Sequence, residues 1–134
     1  MNKAFVSIAA VLLLSSTAFA GSNYKMDVKP PPAAKKGEKA AAQVHIEGTG
    51  EFHVNLEYPV KLTVEAPSGV TLDKAKQTHR DAVKFEKSGA DFAIGFVSTD
   101  AGKKSFKGEF KFAVCTDNNC SPTTEKIEFD VDVK

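Results

Sequence analysis

Apolar and polar residues alternate with period two in seven segments of this chain, and that restricts its fold more than any other property. "AQVHIEG" sets Val44 and Ile46 on one face, "FHVNLEY" gathers Phe52, Val54 and Leu56, and "VKLTVEA" gathers Val60, Leu62 and Val64. "AVKFEK" pairs Val83 with Phe85, and "DFAIGFVS" aligns Phe92, Ile94 and Phe96. "SFKGEFKFAVC" contributes Phe106, Phe110, Phe112 and Val114, and "KIEFDVDV" contributes Ile127, Phe129, Val131 and Val133. Such alternation marks strands with one buried face. Turn-forming stretches separate them: "EGTGE", "APSG", "KSGAD", "TDAGKK" and "CTDNNC". A further strand candidate, "YKMDVK", precedes "KPPPAAKKGEKAAA", which we read as an ordered edge loop of the domain, since a linker would strand "YKMDVK" outside it. "LDKAKQTHRDA" has too few apolar positions for a helix face and is expected to be a loop or a single turn. Many short strands with turns between them predict an all-β antiparallel sandwich.

The N-terminus predicts the compartment. Lys3, the apolar run "AFVSIAAVLLL" and the small residues of "AFA" form an export signal cleaved after Ala20. The expected organisation is a signal peptide over residues 1–20 and one β-sandwich domain over residues 21–134. No cysteine lies at the processing site, and no later segment is apolar enough to cross a membrane. The mature chain is therefore expected in the periplasm, without stable membrane insertion. Removing Lys3 leaves 17 basic and 17 acidic residues, with no long run of one sign. That balance argues against nucleic acid or an anionic membrane as partner.

Few other constellations carry chemistry. His45, His53 and His79 are the only imidazoles. His45 and His53 fall on the polar phases of their strands and are expected to be solvated. "CTDNNC" lacks the second cysteine pair of a closed zinc site and the bidentate glutamate of a calcium loop. No Ser-His-Asp set, phosphate loop or carboxylate pair emerges, so no cofactor and no metal are expected.

Cys115 and Cys120 are the only cysteines. If "GEFKFAVC" and "TEKIEFDVDV" form a hairpin, both sit at its tip. Directly opposed residues in an antiparallel ladder have Cα atoms about 4.5 or 5.5 Å apart. In the chain-entropy model so short a loop stabilises by only about 2 kcal/mol, the low end for disulfides. Exported proteins keep disulfides oxidised, and accessible ones tend to be the labile kind. Asp117 is acidic and no basic residue stands between the cysteines. Nothing local favours a strongly activated thiol, which suits a disulfide attacked by a partner.

"VCTDNNCSP", preceded by "FKGEFKFA" and followed by "EKIEFDVDV", resembles the periplasmic N-terminal domain of the DsbD thiol–disulfide reductase family and its related disulphide bond corrector domains. "FHVNLEYP" is similar to an early strand of that family. The resemblance implies an immunoglobulin-like sandwich with a reversible disulfide, exchanging electrons with thioredoxin-like or other periplasmic thiol proteins. It implies that Cys120 exchanges with the partner and that Cys115 resolves the mixed disulfide. It also implies an aromatic cap over the disulfide, for which Tyr58 and Phe85 are candidates. This chain departs from the best-known member in its tighter cysteine spacing, and within residues 21–134 only the sandwich is expected, without that member's membrane and thioredoxin-like domains. Carrying electrons is the most that the motif supports. The alternative expectation is a non-enzymatic binding module, whose structural disulfide pins a hairpin tip presenting Thr116, Asp117, Asn118 and Asn119.

Overall fold

The computed structural model describes residues 17–20 and 23–134. The expected signal peptide lies outside them except for Thr17–Ala20 (β1), which pairs antiparallel with the next strand. One sheet takes β1, β2 (Tyr24–Lys29), β3 (Lys39–Gly48), β9 (Gly89–Ser98) and β6 (Val70–Leu72) in that order, with β8 (Lys84–Glu86) also on β9. The other takes β11 (Cys120–Val133), β10 (Gly102–Cys115), β5 (Lys61–Glu65) and β7 (Lys76–Gln77), with β4 (His53–Val54) also on β10. All the strand pairings are antiparallel.

Phenylalanine joins the two layers. Phe92 of β9 meets Phe110 of β10 edge-on, with ring centroids 5.2 Å apart. Phe96 and Phe106 lie 4.8 Å apart across the same gap, and Tyr24 packs edge-on against Phe112 at 5.0 Å. Each such pair adds about 0.5–1.5 kcal/mol beyond the area it buries. The Tyr24 hydroxyl donates to Glu125 of β11, so the phenol is satisfied where the ring is buried. Gln77, buried on β7, donates its amide to the Ala93 carbonyl and ties the edge of one sheet to the other. The all-β antiparallel sandwich expected from the alternation, immunoglobulin-like as the resemblance implies, is the fold observed.

Four local readings need correction or extension. β3 begins at Lys39, so the polar-looking "KAA" belongs to the ladder. "FHVNLEY" does not run as one strand: it ends after Val54, and Leu56 is 41 % exposed. The cause is Asn55, whose Oδ1 accepts the backbone N–H groups of Glu57 (2.8 Å) and Tyr58 (3.2 Å) and so turns the chain. Val83 does not share the core face with Phe85; it precedes β8 at the exit of a 3-10 helix, His79–Asp81, and is 70 % exposed. β6 carries no alternation long enough to see, and it is held by pairing with β9. The proline-rich stretch is an ordered edge element: Ala34 bridges Val133, and Lys36 N–H reaches the Lys134 carbonyl at 2.9 Å.

Candidate functional site

β10 and β11 pair over their full lengths, in a register that sets Cys115 directly opposite Cys120. The turn between them is closed by Thr116 N–H to the Asn119 carbonyl at 2.7 Å. The Thr116 hydroxyl accepts the N–H groups of Asn118 and Asn119. Since residues 116 and 119 exchange a ladder bond, 115 and 120 form the neighbouring pair without one, the closer type in an antiparallel ladder. Their Cα atoms are 4.1 Å apart and the sulfurs are bonded. A disulfide of this length of loop contributes about 2 kcal/mol. The Cys115→Ser/Cys120→Ser double variant is therefore expected to stay folded with stability lowered by about that amount, measured by urea unfolding.

The two sulfurs are not equivalent. Cys115 is 4 % exposed, whereas Cys120 is open to solvent. Alternation along β10 turns Val114 to the core and Ala113 and Cys115 to the outer face, yet both of these are buried. Asn55 explains the cover. Its N–H bonds the Ala113 carbonyl at 2.9 Å. Its side-chain Nδ2 donates to Cys115 Sγ at 3.1 Å and, over a longer 3.6 Å, to Cys120 Sγ. The carbonyl end of the same amide holds the turn at Glu57 and Tyr58, which fixes its orientation. β4 is set beside Cys115 by a tight reversal at Gly48, where a Cβ would collide with the Phe52 carbonyl.

Among the predicted site residues, Cys115 and Cys120 come together. Of the two cap candidates, Tyr58 lies in the loop that Asn55 organises and is half-buried. Phe85 is placed on β8, packed against the core and with its ring 5.9 Å from that of His79. The side chain that reaches the sulfurs is Asn55, which the sequence reading passed over. Its only signal was a turn-prone asparagine on the polar phase of that segment, shortly before "EYP".

The histidines divide. His53 pairs with Cys115 across β4 and β10, so His53, Cys115 and Cys120 form one row across the sheet. His45 is not simply solvated: its Nδ1 lies 2.5 Å from Asp91 and its Nε2 3.4 Å from Glu47. Burial alone lowers the His45 pKa, but the bonds to Asp91 and Glu47 outweigh it and raise the value above 6.5. A raised folded-state pKa stabilises the protein fully below the unfolded value, and this gain disappears as pH rises through the folded value. His45 is thus expected to titrate above 6.5 by NMR, and His45→Gln to flatten the loss of stability as pH rises past that value. Among the described residues, no group of three histidine, cysteine or carboxylate side chains is placed to hold a metal ion, and no helix is long and apolar enough to cross a membrane.

Chemically, the exposed Cys120 sulfur is the one an incoming thiolate can reach. Attack there breaks the bond to Cys115 and leaves the electron pair on Cys115 Sγ. That sulfur sits beside the Asn55 N–H, and hydrogen bonds to charged acceptors are worth about 1.5–3 kcal/mol, more than those to neutral ones.

No protein-family model matches the chain, and no curated protein matches it. Solved structures do. The GAE domain of GGA2p from Saccharomyces cerevisiae superposes with a TM-score of 0.51 at 9% identity, covering 86% of this chain and 97% of that one. The yeast GGA1 GAE domain gives 0.46 at 12% identity, covering 86% and 98%. A cohesin module from a Clostridium perfringens family 33 glycoside hydrolase gives 0.46 at 12%, covering 84% and 98%. At such identities the likeness is one of fold alone: the chain shares an immunoglobulin-like β-sandwich with the GAE domain of GGA2p.

Proposed function

We propose that this protein is a thiol–disulfide exchange module, similar in working to the disulphide bond corrector domains, which carries electrons through a reversible Cys115–Cys120 disulfide. The single observation that supports this reading is the asymmetry of the pair: an exposed Cys120 sulfur for attack, and a buried Cys115 sulfur that already accepts an N–H from Asn55. In one direction a partner thiolate bonds Cys120 and displaces Cys115. The partner's second thiol then displaces Cys120, so the pair gains two electrons and the partner holds the disulfide. The reverse sequence passes those electrons on. The compartment proposed is the periplasm, where disulfides persist, with thioredoxin-like or other exported thiol proteins as partners. Mixing the oxidised chain with a reduced thioredoxin-like protein tests this. Two free thiols per chain are expected, matched by loss of two in the partner. Retention of the disulfide, under conditions where dithiothreitol opens it, contradicts the reading.

A binding module is the second reading, favoured by the exposed turn at residues 117–119, whose backbone Thr116 holds in place. Under it, the double serine variant keeps full function wherever it stays folded.

A further inference from the structure

The bonding parity of β11 leaves one side of the strand open. Because Thr116 bonds Asn119, the odd-numbered residues of β11 bond β10, and the even-numbered ones point their N–H and carbonyl groups away from it. The bonds at the C-terminal end fit this parity: Lys134 N–H reaches the Ala34 carbonyl at 2.9 Å, and the Lys134 carbonyl accepts from Lys36. Segment 34–36 therefore closes the edge at its far end. From Cys120 to Asp132 no strand among the described residues pairs with that edge. Pro122 removes one donor from it, and every other even position keeps both groups.

We propose that this open edge receives an extended, cysteine-bearing strand of a dithiol protein, added antiparallel to β11 with its cysteine opposite Cys120. The inference rests on the exchange reading above and names how the partner is seated. Three observations join at this edge. Apart from the donor that Pro122 lacks, its unpaired groups run up to the exposed sulfur, so strand pairing and exchange share one surface. A residue opposite Cys120 would form a hydrogen-bonded pair, with Cα atoms about 5.5 Å apart, inside the range for a disulfide. Its side chain would stand on the same outer face as Cys120. The cross-strand row Cys115, Cys120 and entering cysteine is then nearly straight, so the entering sulfur comes in opposite the one that leaves. The new bond forms to Cys120 Sγ, the bond to Cys115 breaks, and the electron pair goes to Cys115 beside the Asn55 amide. Lys126 and Glu128 face outward on the same side as Cys120. In this register they select a strand with an acidic residue six positions, and a basic residue eight positions, before its cysteine.

The test uses two synthetic peptides with that spacing, identical except that one carries N-methyl groups on the amides facing β11, and glutathione as a thiol without a strand. The rate at which each opens the disulfide of the oxidised full chain is followed by acid quench and mass. The unmethylated peptide is expected to react at least tenfold faster than the other two. Thr124→Pro, which removes an edge donor and spares the bonds to β10, is expected to abolish that advantage and leave the glutathione rate unchanged. Equal rates for the two peptides overturn the docking proposal. A disulfide opened by none of the three thiols overturns the exchange reading itself.

Discussion

With Cys115 replaced by serine, Cys120 is expected to collect mixed disulfides with exported thiol proteins, at least tenfold more than Cys115 does in the Cys120→Ser protein. The asymmetry follows from position. Cys120 opens β11 with its sulfur in solvent, whereas Cys115 ends β10 at 4 % exposure beneath Asn55. A thiol reacts through its thiolate and only where a partner sulfur can reach it. Both single variants lose the same crosslink, so both lose the same stabilisation of about 2 kcal/mol. A difference between them therefore reports access, and non-reducing gels of the two purified variants after exposure to an oxidised thioredoxin-like protein read it directly. Equal trapping by both would show that burial of Cys115 does not direct the exchange.

Asn55→Asp is expected to slow opening of the disulfide by dithiothreitol about tenfold to a hundredfold, the equivalent of the 1.5–3 kcal/mol carried by a hydrogen bond to a charged group. Aspartate keeps an acceptor for the N–H groups of Glu57 and Tyr58, so the turn after β4 survives. What it loses is the donor at 3.1 Å from Cys115 Sγ, and it sets a negative charge where a thiolate must form. Asn55→Ala removes both halves of the amide and confounds the turn with the sulfur contact, which makes aspartate the more informative change. The oxidised Asn55→Asp protein is expected to melt close to the parent, since only the opening step acquires an anion beside the carboxylate. A normal opening rate in that variant would reduce Asn55 to a turn residue.

Much of the fold was legible because alternation is a physical requirement of a half-buried strand. Phe92, Ile94 and Phe96 on β9, and Phe106, Phe110, Phe112 and Val114 on β10, all point inward as their spacing demands. The signal failed where short pieces of chain are held by neighbours. β6 and β7 pair with longer strands and have no pattern of their own. Leu56 kept the apolar phase of its segment, but the Asn55 side chain took over the local backbone bonds and turned it outward. The cysteine pair was legible from its hairpin context, and its unequal burial was not. Burial of Cys115 on an outer face depends on a loop more than fifty residues earlier in the chain. The pairing of His45 with Asp91 escaped for the same reason, since cross-strand neighbours on β3 and β9 are distant in sequence.

The measurement that bears most directly on a disulfide that opens and recloses is its reduction potential, set by equilibrating the full chain in glutathione buffers and counting thiols. A working exchange pair is predicted to lie above about −300 mV, within reach of cellular dithiols; a value well below that would mark the Cys115–Cys120 bond as an inert staple.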